Sequence, residues 1–302
     1  MIERAGVQLS FISYSYFLFV LHDRRNILRI IFDSVFPKRT GGEMKMDVRK
    51  LFSLEGRKGF ITGGAQGIGK TIAHAYAELG ADVAIVDMNM EKAEITANKI
   101  AEETGRKIIA LQCNVTDPDS VNNMIRKYEA QFTTCDFAVN NAGIFTGDEA
   151  MEIDPKAFKS VIDVNLNGVF FTAQAAARLM KKHGTKGSII STASMSAKIV
   201  NVPQTIANYC AAKAGVVHLT KALAVEWAKY NIRVNCVSPG YIQTELLATM
   251  TDMLPIWLAK MPEGSRLGFP EDLIGAFVYF ASDASLFATG SDLAVDGGYT
   301  IL

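Results

Sequence analysis

The chain has 302 residues, 49% hydrophobic and 21% charged, enough to bury a full core. Lysine plus arginine and aspartate plus glutamate balance at 31 each, so no net field draws the protein to nucleic acid, an acidic carrier or an anionic membrane, and a small uncharged substrate is the simplest partner. Cys113, Cys135, Cys210 and Cys236 form no C-x-x-C pair, and His22, His74, His183 and His218 lack metal-ligand spacing, so the expectation is free thiols in a reducing cytosol and no metal.

Residues 7–21 are apolar and aromatic, yet the run is shorter than the roughly 20 residues a spanning helix needs and contains Ser10, Ser13 and Ser15. A membrane anchor is one reading. The other takes residues 1–46 as an extension outside the mature fold, because Gly41-Gly42-Glu43 before Met44 and Met46 is what a purine-rich ribosome-binding sequence encodes when read through. The second is preferred, with residues 47–302 as the folded domain.

From residue 50 a short apolar run, a turn and an amphipathic stretch recur. Strands are expected at 58–62, 82–87, 108–114, 137–140, 187–192, 233–239 and 292–295, with helices at 67–79, 90–104, 117–131, 155–182, 209–230 and 270–281. Seven strands alternating with helices imply an α/β fold, one doubly wound Rossmann domain with a seven-stranded parallel sheet.

The first strand runs into Thr62-Gly63-Gly64-Ala65-Gln66-Gly67-Ile68-Gly69, which opens a helix. Glycines there let the backbone approach a pyrophosphate, and the free amides of the helix start favour its charge. Asp87 closes the second strand 18 residues after Gly69, where a carboxylate accepts the hydroxyls of an adenosine ribose and repels a 2′-phosphate. Together with the uncharged Gln66, this points to NAD rather than NADP.

Tyr209 and Lys213 stand at i and i+4 on a helix and so share a face. A nearby ammonium favours phenolate over phenol, which suits Tyr209 to exchange a proton with an alcohol or ketone.

The T-G-x-x-x-G-x-G spacing and the Y-x-x-x-K pair resemble the short-chain dehydrogenases/reductases, and the resemblance runs over residues 51–302. It implies further assignments. Asn114-Val115 stands where the family has Asp-Val beside the adenine, and Asn140-Asn141-Ala142-Gly143 matches its N-N-A-G. Pro239-Gly240 matches the turn bordering the nicotinamide, with Ile242 and Thr244 following it. Ser194 takes the place of the family's substrate-holding serine; by count alone Ser196 is a rival. Asn165 matches the asparagine whose backbone holds a water next to the lysine. The implied tetrad is Asn165, Ser194, Tyr209 and Lys213.

The stretch from Ala193 to Gln204 resembles the polyol and sugar branch (mannitol, sorbose, xylulose, arabinitol), and Asn201 and Gln204 offer hydrogen bonds to substrate hydroxyls. A lid over 241–269, carrying Met250, Met253, Leu254, Trp257 and Met261, equally suits a hydrophobic ketone. The expected activity is NAD-dependent hydride transfer to or from a secondary alcohol or ketone in a cytoplasmic homotetramer. The alternatives are a 3-oxoacyl-carrier-protein or hydroxysteroid reductase, or a nucleotide sensor without chemistry.

Overall fold

The computed structural model describes residues 47–245, 247, 251–262 and 266–301; the extension read at 1–46 and the lid residue Met250 lie outside them. In chain order the elements are α1 (Val48–Leu51), β1 (Lys58–Thr62), α2 (Gly67–Glu78), β2 (Asp82–Asp87), α3 (Met90–Thr104), β3 (Ile108–Gln112), α4 (Pro118–Phe132) and β4 (Phe137–Asn140). There follow α5 (Pro155–Ile162), a π turn (Asp163–Asn167), α6 (Gly168–His183), β5 (Ser188–Thr192), α7 (Ala207–Trp227), β6 (Arg233–Pro239), α8 (Leu254–Ala259), α9 (Ile274–Ala281) and β7 (Asp292–Val295).

All seven strands pair in parallel in the order β3-β2-β1-β4-β5-β6-β7. Neighbouring side chains on a strand take opposite faces, and the core divides accordingly. Ile61, Val83, Ile85, Phe137, Val139 and Ile190 pack under α2, α3 and α9. Phe60, Ala84, Val86, Ala138 and Ile189 pack under α4, α6 and α7. Among the described residues no helix is long and apolar enough to cross a membrane.

The chain winds outward from β1 to β3, then returns to place β4 on the other side of β1, with Thr62 beside Asn140. That reversal parts the connections leaving β1 and β4 and opens a crevice at the carboxyl ends of the strands.

Several boundaries differ from the sequence expectation for local reasons. The strand expected over 108–114 ends at Gln112, because Asn114 Oδ1 accepts the Thr116 amide at 3.1 Å and turns the chain. The helix expected over 155–182 is interrupted by the π turn. Asn165 Nδ2 donates to the Val161 carbonyl at 3.0 Å and the Ile144 carbonyl at 2.8 Å, so its side chain competes with the helical ladder there. Helix α7 starts at Ala207 rather than at Tyr209, and the helix expected over 270–281 begins as a 3-10 turn.

Candidate active site

A cleft of about 500 Å³ lies at the strand reversal. Of the residues singled out from sequence, Gly63, Gln66, Gly67, Ile68, Asp87, Asn114, Val115, Asn141, Ala142, Gly143, Asn165, Tyr209, Lys213 and Thr244 line it. Gly69, Ser194, Pro239, Gly240 and Ile242 do not. Gly69 is packed into the turn, where a Cβ would collide with the Gly63 carbonyl. Pro239 ends β6, and Gly240 and Ile242 line a separate cavity of about 220 Å³.

One end of the cleft is made mostly of backbone. Gly63 has φ +61°, and a Cβ on it would lie 2.9 Å from the Ala142 Cα, so only glycine lets the two loops meet. Thr62 Oγ1 accepts the amides of Asn141 (3.0 Å) and Ala142 (3.1 Å), and Asn141 Nδ2 donates to the Gly63 carbonyl at 3.2 Å. The N-N-A-G segment is thus a clasp between the tips of β1 and β4.

Gln66 gives no side-chain cap to α2, which leaves the first amides of that helix open to an anion. Asp87 is held by two amides, from Ala65 to Oδ2 (3.2 Å) and from Asn89 to Oδ1 (3.0 Å). Asn114, expected to face an adenine amino group, spends its Oδ1 on Thr116.

The other end is made of side chains. Ser194 follows β5 and caps a 3-10 turn, accepting the Ser196 amide at 3.1 Å while its hydroxyl donates to Ser196 Oγ at 3.1 Å. The Ser194 hydroxyl also acts on the Tyr209 phenol, favouring its ionised form against burial. The Tyr209 ring meets Phe145 edge-on, with centroids 5.6 Å apart. Asn208 accepts the Tyr209 amide at 2.8 Å and donates to the Thr146 carbonyl at 3.2 Å, tying the start of α7 to the loop after β4.

Lys213, 3% exposed, donates to the Thr192 carbonyl at 2.7 Å, and its ammonium lies 5.5 Å from the Tyr209 ring centroid. Burial pushes the phenol up to about 12 against the opposing Ser194 hydrogen bond, and burial pulls the Lys213 ammonium down to about 8. Burial is the largest cause of both shifts.

The residues present fit a dinucleotide. Gly67, at φ +52°, turns bare backbone to the cleft, where a Cβ would come no nearer than 3.5 Å to Thr244 or Glu245. Asn165 Oδ1 is buried with no partner among the described residues. A family model described as enoyl-(acyl carrier protein) reductase matches residues 63–300. The sorbose reductase of Candida albicans is 45% identical over 263 residues, covering 85% of this chain and 92% of that one.

The chain belongs to the short-chain dehydrogenase/reductase family.

A second relative, the probable NADP-dependent mannitol dehydrogenase of Yarrowia lipolytica, is 40% identical and covers 85% of this chain and 92% of its own length. A short-chain dehydrogenase/reductase structure from Mycobacterium marinum superposes with a TM-score of 0.83 at 47% identity, covering 85% of this chain and all of that one. The protein is therefore a family oxidoreductase with a nicotinamide cofactor. Sequence reasoning missed Lys92, Glu245 and Thr192 in the cleft wall and Phe145 against the tyrosine. Glu245 adjoins Thr244, and Thr192 and Phe145 lie two residues from Ser194 and Gly143; Lys92 carries no motif signal.

Proposed function

We propose that the protein is an NAD-dependent dehydrogenase/reductase that interconverts a polyol and its ketose. The observation that carries the chemistry is the meeting of the Tyr209 ring with the Lys213 ammonium, 5.5 Å from its centroid, at one end of a cleft whose other end suits a dinucleotide.

Nicotinamide, when bound, accepts or returns the hydride. Ser194 holds the substrate oxygen and stabilises negative charge on it. Tyr209 exchanges the proton. At neutral pH its buried phenol stays protonated, ready to give a proton to a carbonyl, and alcohol oxidation gains as rising pH deprotonates it. Lys213, its proton held only to about pH 8, supplies a proton beside the tyrosine, and Asn165 faces the same wall with a free acceptor. Asp87 and the amides of α2 hold the adenosine ribose and the diphosphate.

Support for a hydroxyl-rich substrate comes from the sorbose and mannitol relatives and from a polar cluster on the loop after Ser194. Asn201, 1% exposed, donates to the Tyr241 hydroxyl at 3.2 Å, and that hydroxyl donates to Gln204 Oε1 at 2.6 Å. Asn201 Oδ1 has no partner among the described residues, an acceptor suited to a substrate hydroxyl. The apolar lid favours a hydrophobic substrate less, because Trp257 is 1% exposed and stacks on Tyr241 at 4.0 Å, and Met261 packs into the same cluster.

A cytoplasmic homotetramer completes the proposal, with light scattering as its check. Absorbance of reduced nicotinamide is followed with pentitols, hexitols, ketoses and hydrophobic alcohols, using Tyr209→Phe as control. Polyol turnover lost in the variant supports the assignment. Turnover of hydrophobic alcohols alone discards the substrate class, and nucleotide binding without any turnover turns the protein into a sensor.

A further inference from the structure

Among the described residues four charged side chains line the cleft. Asp87 and Lys92 stand at the adenosine mouth, where the Lys92 ammonium donates to Gln66 Oε1 at 3.1 Å, and Lys213 stands at the reaction end. The fourth is Glu245, whose Oε2 lies 3.5 Å from the point where a Cβ on Gly67 would stand. Its carboxylate therefore looks onto the bare start of α2, where Gln66 supplies no side-chain cap. Glu245 is exposed and, among the described residues, forms no hydrogen bond or ion pair of its own. It also borders an adjoining cavity of about 830 Å³ together with Lys70, so the side chain has room on either side of Thr244.

We propose that the Glu245 carboxylate is a built-in competitor for the diphosphate of the nucleotide, standing at the start of α2 in the free protein and displaced from it on binding. The inference rests on the dinucleotide assignment above. An uncapped helix start attracts negative charge, whichever anion supplies it. In the free protein the anion at hand is Glu245; a bound dinucleotide brings its own to the same amides. Two anions a few ångströms apart in a cleft that is partly screened from water repel each other, so the carboxylate gives up its place. It turns into the adjoining cavity, where the Lys70 ammonium is without a partner among the described residues. The cleft thus binds the diphosphate more weakly than its amides alone would, by the amount that Glu245 loses in leaving them.

The test titrates the full chain calorimetrically with 5′-ADP and with adenosine, as native protein, as Glu245→Gln and as Glu245→Ala. Neither substitution removes a hydrogen bond or an ion pair among the described residues, so both variants should fold as the native chain does. Both should tighten 5′-ADP about twofold to fivefold, the size of one carboxylate at an exposed helix terminus, and leave adenosine, which has no phosphate, within about 1.5-fold. The gain should shrink as salt is raised. Unchanged or weaker 5′-ADP binding in Glu245→Gln, or equal tightening of adenosine, overturns the proposal and leaves the dinucleotide assignment standing. Failure of the native chain to bind either ligand sinks that assignment and the proposal with it.

Discussion

The two ends of the cleft are built differently. At the nucleotide end the recognising groups are mostly backbone amides and bare glycines, set by short contacts between the turn after β1 and the clasp after β4. At the reaction end Ser194, Tyr209, Lys213 and Asn165 are side chains delivered by the loop after β5, by α7 and by the π turn. The first is set by close approach, since a Cβ on Gly63 would lie 2.9 Å from the Ala142 Cα. In the second, burial moves the phenol and the ammonium in opposite directions. A backbone site is thus insensitive to most side-chain changes, whereas a side-chain site answers to each one.

The largest expected effect separates the ends. Tyr209→Phe should lower kcat by about 10²–10⁴-fold, the usual contribution of a positioned acid or base, with nucleotide affinity unchanged by titration. A parallel loss of nucleotide binding would mean that the two ends are not independent.

Next comes a pH effect confined to the reaction end. Folded Lys213 loses its proton near pH 8, whereas an unfolded lysine keeps it to about 10.4. The unfolded chain therefore binds more protons at this residue in between, and Lys213 by itself should add on the order of 2 kcal/mol of stability from pH 8 to 10, against an opposite contribution from Cys113, Cys135 and Cys236, whose thiols burial holds protonated. Tyr209 acts in the opposite direction to Lys213 above pH 10, because its folded phenol holds its proton to about 12. Denaturant midpoints across this range should show the gain of Lys213 as a growing difference between the native chain and Lys213→Met, in which the buried thiols are common to both.

Thr62→Val removes the acceptor shared by the Asn141 and Ala142 amides and should cost about 1–2 kcal/mol, with weaker 5′-ADP binding and an unshifted pH–rate profile. The smallest effect belongs to Phe145→Leu. Losing the edge contact with Tyr209 is worth about 1 kcal/mol or less, read as a change of a few-fold in kcat/KM with nucleotide affinity intact.

The nucleotide end was the more legible in the sequence. Its glycines and Asp87 lie within one strand-turn-helix-strand segment, so local spacing carries the geometry. Boundaries were missed where a side chain captured the backbone: Asn114 ends β3 early, and Asn165 opens the helix into a π turn. Lys92 was missed because the nucleotide preference was read from Asp87 and Gln66, while the lysine reaches the same mouth from the next helix. The turn after β6 was placed on the cleft as a whole, yet Thr244 lines it and Gly240 and Ile242 line the neighbouring cavity.

By itself the sequence determined the alternation of strands and helices, the glycine turn, and the presence of a tyrosine and a lysine on one helix face, because hydrophobic period and backbone freedom are local properties. Only the tertiary structure decided which ring packs on the tyrosine, which cation shares the cleft with Asp87, and which way burial shifts the phenol and the ammonium. Those depend on burial and on contacts between segments far apart in the chain, and no local spacing encodes how much water a folded neighbour excludes.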